Sequence, residues 1–274
     1  MKTKIGNLIW HALLIIVVLF FFYPLIYMVC TSFKSLSQIF EAGLKLLPTA
    51  FTMENYQRVF EQLPVINYIG NSVIVASIVM VFKIVTSVLA AYALVFMDNK
   101  YANKLFYFFT LTMFIPFSVI MLPNYITLSR LGLINNLLGV ALPQFADAMG
   151  IFRIRQAMKN VPKSLVEAAR LDNVSHFQAM VRIVLPLVRP AVVAMCIFFF
   201  VNSWNEYFWP MLILRRNELY TVTLSMQEFI SAEGGIAWGS SVALATIATL
   251  PPLFLYLFAQ RSIISTFMSS GIKE

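Results

Sequence analysis

The chain has 274 residues, of which 60% are hydrophobic and only 12% charged. A mean hydropathy of +0.80 excludes intrinsic disorder, which needs low hydrophobicity and high net charge. In a soluble protein the net charge of +8 would suggest a nucleic-acid partner, but in a membrane protein it reflects basic loops on one side of the bilayer. We therefore predict an all-α integral membrane protein that is surrounded by lipid and binds no nucleic acid.

Apolar runs that are long enough to cross a bilayer recur six times. A hydrocarbon core of about 30 Å needs about 20 apolar residues in a helix. The predicted transmembrane helices are 10–31, 69–97, 105–129, 131–152, 190–214 and 239–260. The second, fourth and fifth of these each contain a charged residue, namely Lys83, Asp147 and Glu206.

The first run follows two lysines, as a signal peptide would. Its apolar part is too long for a signal peptide, and no small-x-small cleavage site follows it. We predict that residues 1–31 form the N-terminus and a permanent first span. Residues 32–68 then form a short extracytoplasmic segment, with a helix expected around 53–62.

The basic residues predict the orientation, because Lys and Arg in short loops stay on the cytoplasmic side. With the N-terminus inside, 13 basic residues face the cytoplasm and 6 face outward. Both termini are therefore predicted to be cytoplasmic, including a tail at 262–274. The loop 153–189 carries 7 of the 13 inward charges, which makes it the expected docking surface for a soluble partner.

This loop has the local signals of a helical elbow. A short helix is predicted at 161–172, and Asn173 should end it because Asn tolerates a left-handed backbone. Ser175 and Gln178 are spaced as a capping box that starts a second helix. Pro186 and the following residues should lead back into the membrane.

A motif with fixed spacing lies within the elbow. Glu167-Ala168-Ala169 is followed by three residues, Asn173, nine residues and Ile183-Val184-Leu185-Pro186. This pattern resembles the EAA loop of ABC importer permeases, E-A-A-x3-G-x9-I-x-L-P. The single departure is Asn173 in place of Gly, and both residues accept the same backbone conformation.

Three further segments indicate which branch of that family the chain resembles. They are 202–210 (NSWNEYFWP), 238–252 from Trp-Gly to Leu-Pro-Pro, and 260–273. They are similar to the carbohydrate-uptake branch of that family, and in particular to the smaller six-span permease that pairs with a larger one, as in maltose importers.

The resemblance implies a type I ABC importer permease fold, with the permease core at 69–261 and an EAA coupling helix. It also implies a bacterial plasma-membrane location, a larger second permease subunit, an extracytoplasmic substrate-binding protein and two ATPase subunits that dock on the EAA loop. The residues expected to couple ATPase to transport are Glu167, Ala168, Ala169, Asn173, Ile183, Leu185 and Pro186. The sequence has no Gly-x4-Gly-Lys phosphate loop, so ATP and Mg are expected in the partner ATPases, and this chain is expected to bind no cofactor.

The charged and polar residues within the spans are candidates for a substrate pathway. They are Lys83, Asn202, Ser203, Trp204, Asn205 and Glu206. An ionisable residue inside a membrane is a functional candidate by default. The alternatives are an interfacial aromatic belt for the segment around Glu206, and a structural ion pair for Lys83 with Glu206 or Asp147.

The expected substrate is a sugar or an oligosaccharide. The second candidate is glycerol 3-phosphate or a related phosphorylated polyol, because the sequence around Lys83 is also similar to permeases for that substrate. An ATP-independent secondary transporter is the alternative class. We predict no catalytic residue and no metal site, since the only histidines, His11 and His176, have no metal-ligand neighbour at helical spacing.

Overall fold

The computed structural model describes residues 2–41, 45–232 and 238–271, so the last three residues of the predicted tail lie outside the described part. All regular structure in these ranges is helical. The α-helices are α1 (Lys2–Ser32), α2 (Leu36–Glu41), α3 (Glu54–Gln62), α4 (Val65–Phe96), α5 (Ala102–Thr112), α6 (Phe117–Arg130), α7 (Leu137–Ala141), α8 (Ala148–Lys159), α9 (Lys163–Leu171), α10 (His176–Ala179), α11 (Leu185–Asn205), α12 (Phe208–Ile213), α13 (Val222–Ala232) and α14 (Trp238–Gly271).

Four described stretches are long and apolar enough to cross a membrane by themselves. They are Trp10–Ser32, Val65–Phe96, His176–Asn205 and Trp238–Gln260. Two bent helix pairs raise the number of spans to six if each pair counts as one. The first, second and sixth predicted spans thus correspond to single helices.

The third predicted span is not one helix. It divides into α5 and α6, which are inclined at 93° to each other. Pro116 precedes α6 in an extended conformation, with φ −61° and ψ 141°. Proline has no N–H for a helical hydrogen bond and biases the preceding residue away from the helical region, so a continuous helix is interrupted here.

The fourth predicted span is also broken, and it lies further along the chain than 131–152. It consists of Leu137–Gln144 and Ala148–Lys159, which are bent by 48°. Asp147 begins the second part, because its Oδ1 accepts a hydrogen bond of 2.8 Å from the Gly150 amide. The charge that the sequence placed inside a span therefore lies at a helix start, where backbone N–H groups need an acceptor.

The fifth span begins well before Pro190 and ends before Leu214. The helix is continuous from His176 to Asn205, and it passes through a π-helical turn at Met180–Val184. Pro186 follows this turn at once. A proline ring collides with the carbonyl four residues earlier in an α-helix, and the wider π turn relieves that contact. The helix therefore continues across Pro186 and Pro190, and neither proline ends it.

The chain divides into two compact units, of which one comprises Met1–Ile66 and Ser225–Leu250. In this unit the residues after α1 are tied to α3 by the buried amide of Asn55. Its Nδ2 donates to the carbonyl oxygens of Ser32 at 2.9 Å and Lys34 at 2.7 Å. The helix predicted at 53–62 is confirmed as α3.

The second unit comprises Asn67–Leu224 and Pro251–Glu274, and α4 contributes to two of its apolar clusters. One end of α4 contributes Val75 and Val79 to a cluster with α6, α7 and α12. The other end contributes Val88, Ala91, Tyr92 and Val95 to a cluster with α8 to α11. Lys83 lies between these two stretches of α4 in the sequence.

Gly150, in the first turn of α8, should be intolerant of a side chain. A Cβ atom there would collide with Ser87 Oγ and would lie 2.6 Å from Phe199 Cζ. We expect Gly150→Ala to lower the free energy of unfolding by about 1–3 kcal/mol, the usual cost of overpacking. The measurement is the thermal unfolding midpoint of the purified protein in detergent.

Gly70 provides the matched control, because it also lies in a helix and a Cβ atom there would meet nothing within 4 Å. Gly70→Ala should be neutral or stabilising by up to about 1 kcal/mol, since Ala is the better helix former. Equal midpoints for the two variants would contradict the close packing of α8 on α4 and α11.

Candidate functional site

The EAA-like segment forms α9 and the turn that follows it. Asn173 has φ +59°, in the left-handed region. Its amide donates to the Arg170 carbonyl at 3.1 Å, and the Val174 amide donates to the Ala169 carbonyl at 3.0 Å. These two bonds define a Schellman motif, which satisfies carbonyl groups at a helix end. The predicted backbone conformation of Asn173 is confirmed.

The second helix of the elbow starts with the capping box that the sequence predicts. Ser175 Oγ accepts from the Gln178 amide at 3.2 Å, and Gln178 Oε1 accepts from the Ser175 amide at 3.1 Å. His176 Nδ1 lies 3.3 Å from Tyr92 Oη on α4. The elbow is therefore bonded to a long apolar helix, a role for His176 that no local sequence signal indicates.

One side of α9 is packed and the other is open. Val166 and Ala169 are both buried, and Val166 belongs to the cluster that also holds Ile154, Met158 and Val184. Glu167 and Ala168 are exposed, as are Leu165 and Leu171, the last at 86%. In the helix that the sequence predicts at 161–172, Leu165, Ala168 and Ala169 share one face. Of these three only Ala169 is buried, and Val166 is the other buried residue of α9. The exposed face thus combines one carboxylate with apolar side chains.

The remaining motif residues lie where the elbow becomes a long helix. Ile183 belongs to the π turn, and Leu185 begins α11. Both are partly buried against the cluster that holds Val166. Pro186 is exposed in the first turn of α11, directly after the π turn. These residues attach the elbow to the bundle and present no polar group.

Lys83 is paired with Asp147 rather than with Glu206. Its Nζ lies 3.2 Å from Asp147 Oδ2 and 5.2 Å from the centre of the Phe199 ring. Two neighbours on α4 hold the same break between α7 and α8. Phe82 stacks on Phe145 with centroids 3.9 Å apart, and Thr86 Oγ1 donates to the Phe145 carbonyl at 2.9 Å. Lys83 thus takes part in a three-residue attachment of this break.

The polar residues at the end of α11 are divided between two environments. Ser203 and Trp204 are buried within this chain, and Trp204 stacks on Phe200 with centroids 5.9 Å apart. Asn202 and Asn205 are exposed, and they lie three residues apart on one side of the helix. These two amides are the members of the predicted set that are free to meet a substrate or a partner chain.

Glu206 is not in the middle of a membrane helix. It follows the last residue of α11, and its Oε1 accepts hydrogen bonds from the amides of Phe208 at 3.0 Å and Trp209 at 3.2 Å. A carboxylate at a helix start is stabilised by unpaired N–H groups. The sequence interpretation placed the charge within an apolar run, whereas the structure places it between α11 and α12.

One residue with a comparable role was missed. Asn135 has φ +61°, and its Oδ1 accepts from the amides of Arg215 and Arg216, each at 3.0 Å. It fixes the connection after α12 to the connection before α7. Within the described residues, no group of three or more His, Cys, Asp or Glu side chains is placed to hold a metal ion.

The sequence matches one family over most of its length. Residues 83–266 match the family described as "Binding-protein-dependent transport system inner membrane component". The chain is 29% identical to the arabinooligosaccharides transport system permease protein AraQ of Halalkalibacterium halodurans, over 92% of this chain and 91% of that protein. It is 30% identical to the sn-glycerol-3-phosphate transport system permease protein UgpE of Brucella melitensis, over 95% of each chain.

A solved structure shares the fold. A chain of a bacterial ABC transporter involved in the import of the acidic polysaccharide alginate superposes with a TM-score of 0.81, at 23% identity, over 95% of this chain and 97% of that one. The chain therefore has the overall fold of that transporter chain.

The left-handed turn at Asn173 generates a prediction about stability. Asn173→Gly should leave the unfolding midpoint unchanged or slightly altered, because Gly adopts positive φ without strain. Asn173→Val should destabilise the elbow by about 1–2 kcal/mol, since a β-branched side chain is disfavoured there. Thermal unfolding of the purified variants distinguishes the two, and an equal loss in both would show that the Asn side chain, not the backbone conformation, matters.

Proposed function

Because the chain belongs to the family of binding-protein-dependent transport system inner membrane components, we propose that it is a permease subunit of an ATP-driven importer for a sugar or an oligosaccharide. The observation that carries the proposal is the elbow. An exposed carboxylate, Glu167, lies beside exposed Ala168 on a helix whose opposite face is fixed in the core. The family assignment disfavours the alternative of an ATP-independent secondary transporter.

The exposed face of α9 is the proposed contact with the ATPase. Leu165, Ala168 and Leu171 offer apolar area, and Glu167 offers a charge that basic or amide groups in a cleft would hold. The small side chain of Ala168 allows a close approach of the helix. Interfaces of this kind combine an apolar contact with a few polar groups that fix orientation.

The buried face of α9 provides the mechanical connection. Val166 shares a cluster with residues of α4, α8 and α11, so a displacement of α9 must move these helices or break the packing. When two ATPase subunits close on ATP, they would draw the elbow with them and reorient the spans. Coupling then needs no chemistry in this chain, and ATP and Mg remain in the ATPase subunits.

The proposed topology has six spans, with each bent helix pair counted as one. Both termini and the elbow lie on the cytoplasmic side of a bacterial plasma membrane, as the distribution of Lys and Arg indicates. A second, larger permease subunit completes the pathway. A substrate-binding protein docks on the outer side, which agrees with the description of the family.

The relatives are named for different substrates, one neutral and one anionic. The environment of Lys83 favours a neutral substrate for this chain. AraQ and UgpE are named for an oligosaccharide and for glycerol 3-phosphate, respectively. A phosphate-binding lysine must present a free ammonium, whereas Lys83 already contacts Asp147 and the ring of Phe199. We therefore propose a sugar or an oligosaccharide, with the phosphorylated polyol as the second candidate because of the identity to UgpE.

The candidate contacts with substrate are Asn202 and Asn205. Their amides are exposed on α11, and each offers both donor and acceptor groups for sugar hydroxyls. Ser203 and Trp204 lie behind them in the packed interior, and Glu206 holds the start of α12. In this proposal the last three act by positioning the two amides.

The coupling role of Glu167 can be tested in the assembled importer. Glu167→Ala and Glu167→Lys should abolish uptake and lower the amount of ATPase subunit that co-purifies with the permease. Lys should have the larger effect, because it places a like charge against the donors that hold the carboxylate. Membrane insertion should be unchanged, since the Glu167 side chain is exposed and outside the core.

Asp172 is the matched control for this experiment. It is an exposed acidic residue on the same elbow, directly after the last residue of α9, and its side chain forms no hydrogen bond within the described residues. Asp172→Asn should retain uptake and ATPase association. Normal uptake in Glu167→Lys, or an equal loss in Asp172→Asn, would contradict the specific role of Glu167.

The nature of the substrate can be tested through the ion pair. Lys83→Met leaves the Asp147 carboxylate without its cation, which should cost roughly 1–3 kcal/mol at this partly buried site. The double variant Lys83→Met/Asp147→Asn should recover most of that stability and the uptake of a neutral sugar. The measurements are unfolding midpoints and transport of a labelled oligosaccharide and of glycerol 3-phosphate.

The two candidate substrates predict different outcomes. If Lys83 holds a phosphate, the double variant regains stability but loses transport of glycerol 3-phosphate. If Lys83 is structural, transport follows stability in all variants. A selective and lasting loss of the anionic substrate would therefore overturn the preference for a neutral sugar.

A further inference from the structure

Arg155 on α8 is a buried cation with few partners. Its side chain is 5% exposed, and its guanidinium lies 3.8 Å from the centre of the Phe106 ring. Its Nη2 donates one hydrogen bond of 3.3 Å, to Asn103 Oδ1. Its Nε is buried and has no hydrogen-bond partner among the described residues. An arginine offers five N–H donors, so this one is poorly satisfied for its depth.

Arg155 lines a cavity of about 220 Å³. Two further cations, Lys159 and Lys163, line the same space, and both are exposed. The other lining residues are Leu94, Val95, Asn103 and Val161. No carboxylate is among these residues, and the described ion pairs elsewhere are Arg58 with Glu54 and Lys83 with Asp147.

Within the described residues, no carboxylate forms an ion pair with the cations of this cavity. Burial of an unpaired charge is costly, and proteins avoid it by supplying a counter-ion. Asp98 and Glu167 line an adjoining cleft of about 420 Å³, which shares Lys163 and Asn103 with the cavity. Neither acid forms an ion pair with Arg155 or Lys159 in the described residues. An anion from outside the chain would satisfy the unused donors.

The position of the cavity indicates which anion is available. Leu94 and Val95 are at the end of α4, Asn103 is at the start of α5, and Arg155 is near the end of α8. All three helices belong to candidate membrane spans, and their ends at the cavity are where a span would meet the headgroup region. Tyr101, which is 51% exposed, lies close by in the sequence with Lys100 and Lys104 over its ring at 5.0 and 6.0 Å. Aromatic and basic residues of this kind are typical of a membrane interface.

We propose that the cavity between α4, α5 and α8 binds the phosphate of an anionic phospholipid headgroup, with Arg155 as the main ligand and Lys159 and Lys163 as supporting cations. Leu94, Val95 and Val161 provide an apolar wall for the glycerol and the first methylenes of the lipid. Basic pockets between helices at this depth suit such headgroups. Because Lys163 begins α9, the bound lipid would also support the base of the elbow.

Lipid titration in detergent tests this site directly. The purified wild-type chain should bind phosphatidylglycerol at least about tenfold more tightly than phosphatidylcholine with the same acyl chains, because only the former carries net negative charge. Binding is followed by native mass spectrometry of the retained lipid. Arg155→Gln should abolish this preference.

A second variant tests the same site without changing the buried Arg155. Lys159→Gln/Lys163→Gln changes two exposed side chains and should fold normally, yet it should weaken phosphatidylglycerol binding by about tenfold. Arg189→Gln is the control, since Arg189 is an exposed cation on α11 that lines neither cavity. Unchanged binding in the double variant, or an equal loss in Arg189→Gln, would overturn the proposal.

A third arm separates a lipid from soluble phosphate. Inorganic phosphate at millimolar concentration should neither displace phosphatidylglycerol nor raise the unfolding midpoint, because it cannot use the apolar wall. Displacement by free phosphate would show that the site takes a soluble anion, which would overturn the assignment to a lipid. A loss of stability in Arg155→Gln with no change in lipid retention would show a structural arginine only.

Discussion

The Asp147 carboxylate connects α4 to the start of α8. One of its oxygens is 3.2 Å from Lys83 on α4, and the other accepts the Gly150 amide at the start of α8. On α4, Lys83 lies in the sequence between the buried residues of one apolar cluster and those of the other. A lone charge at membrane depth costs several kcal/mol, so each side chain fixes the position of the other. The break in the fourth span is stable because this pair, the Phe82–Phe145 stack and the Thr86 hydrogen bond all hold it to α4.

The sequence predicted most successfully where the physical cause lies within a few residues. The left-handed Asn173, the capping box at Ser175 and the helix at Glu54–Gln62 depend on hydrogen bonds between near neighbours. Their residue types therefore carry the signal. The exposed face of α9 was only partly predicted, because whether Val166 or Leu165 points inward depends on which helix packs against it.

Features that depend on residues far apart in the chain could not be predicted from the sequence. The partner of Lys83 lies 64 residues away, and the sequence left Asp147 and Glu206 as alternatives. The Asn135 side chain accepts hydrogen bonds from amides 80 and 81 residues away, so no neighbouring residue in the sequence indicates these bonds. The helix of the fifth span starts at His176 and not near 190, because it continues through the π turn before Pro186. No local sequence signal indicates that turn. Glu206 was misplaced because an apolar run does not show that its helix ends at Asn205.

In the proposed coupling mechanism, the elbow would act on the fifth span through one continuous helix. From Leu185 to Asn205 the chain is one helix of 21 residues, about 30 Å long at 1.5 Å per residue. Phe199 belongs to the cluster that holds α9, and Asn202 lies less than one turn beyond it. The part of this helix that should bend most easily is its start. The π turn lies there, and Pro186 and Pro190 have no N–H to donate to the helical hydrogen bonds. A pull on the elbow should therefore bend the start of the helix first and then carry the rest of α11, with the exposed amides of Asn202 and Asn205, as a rigid body.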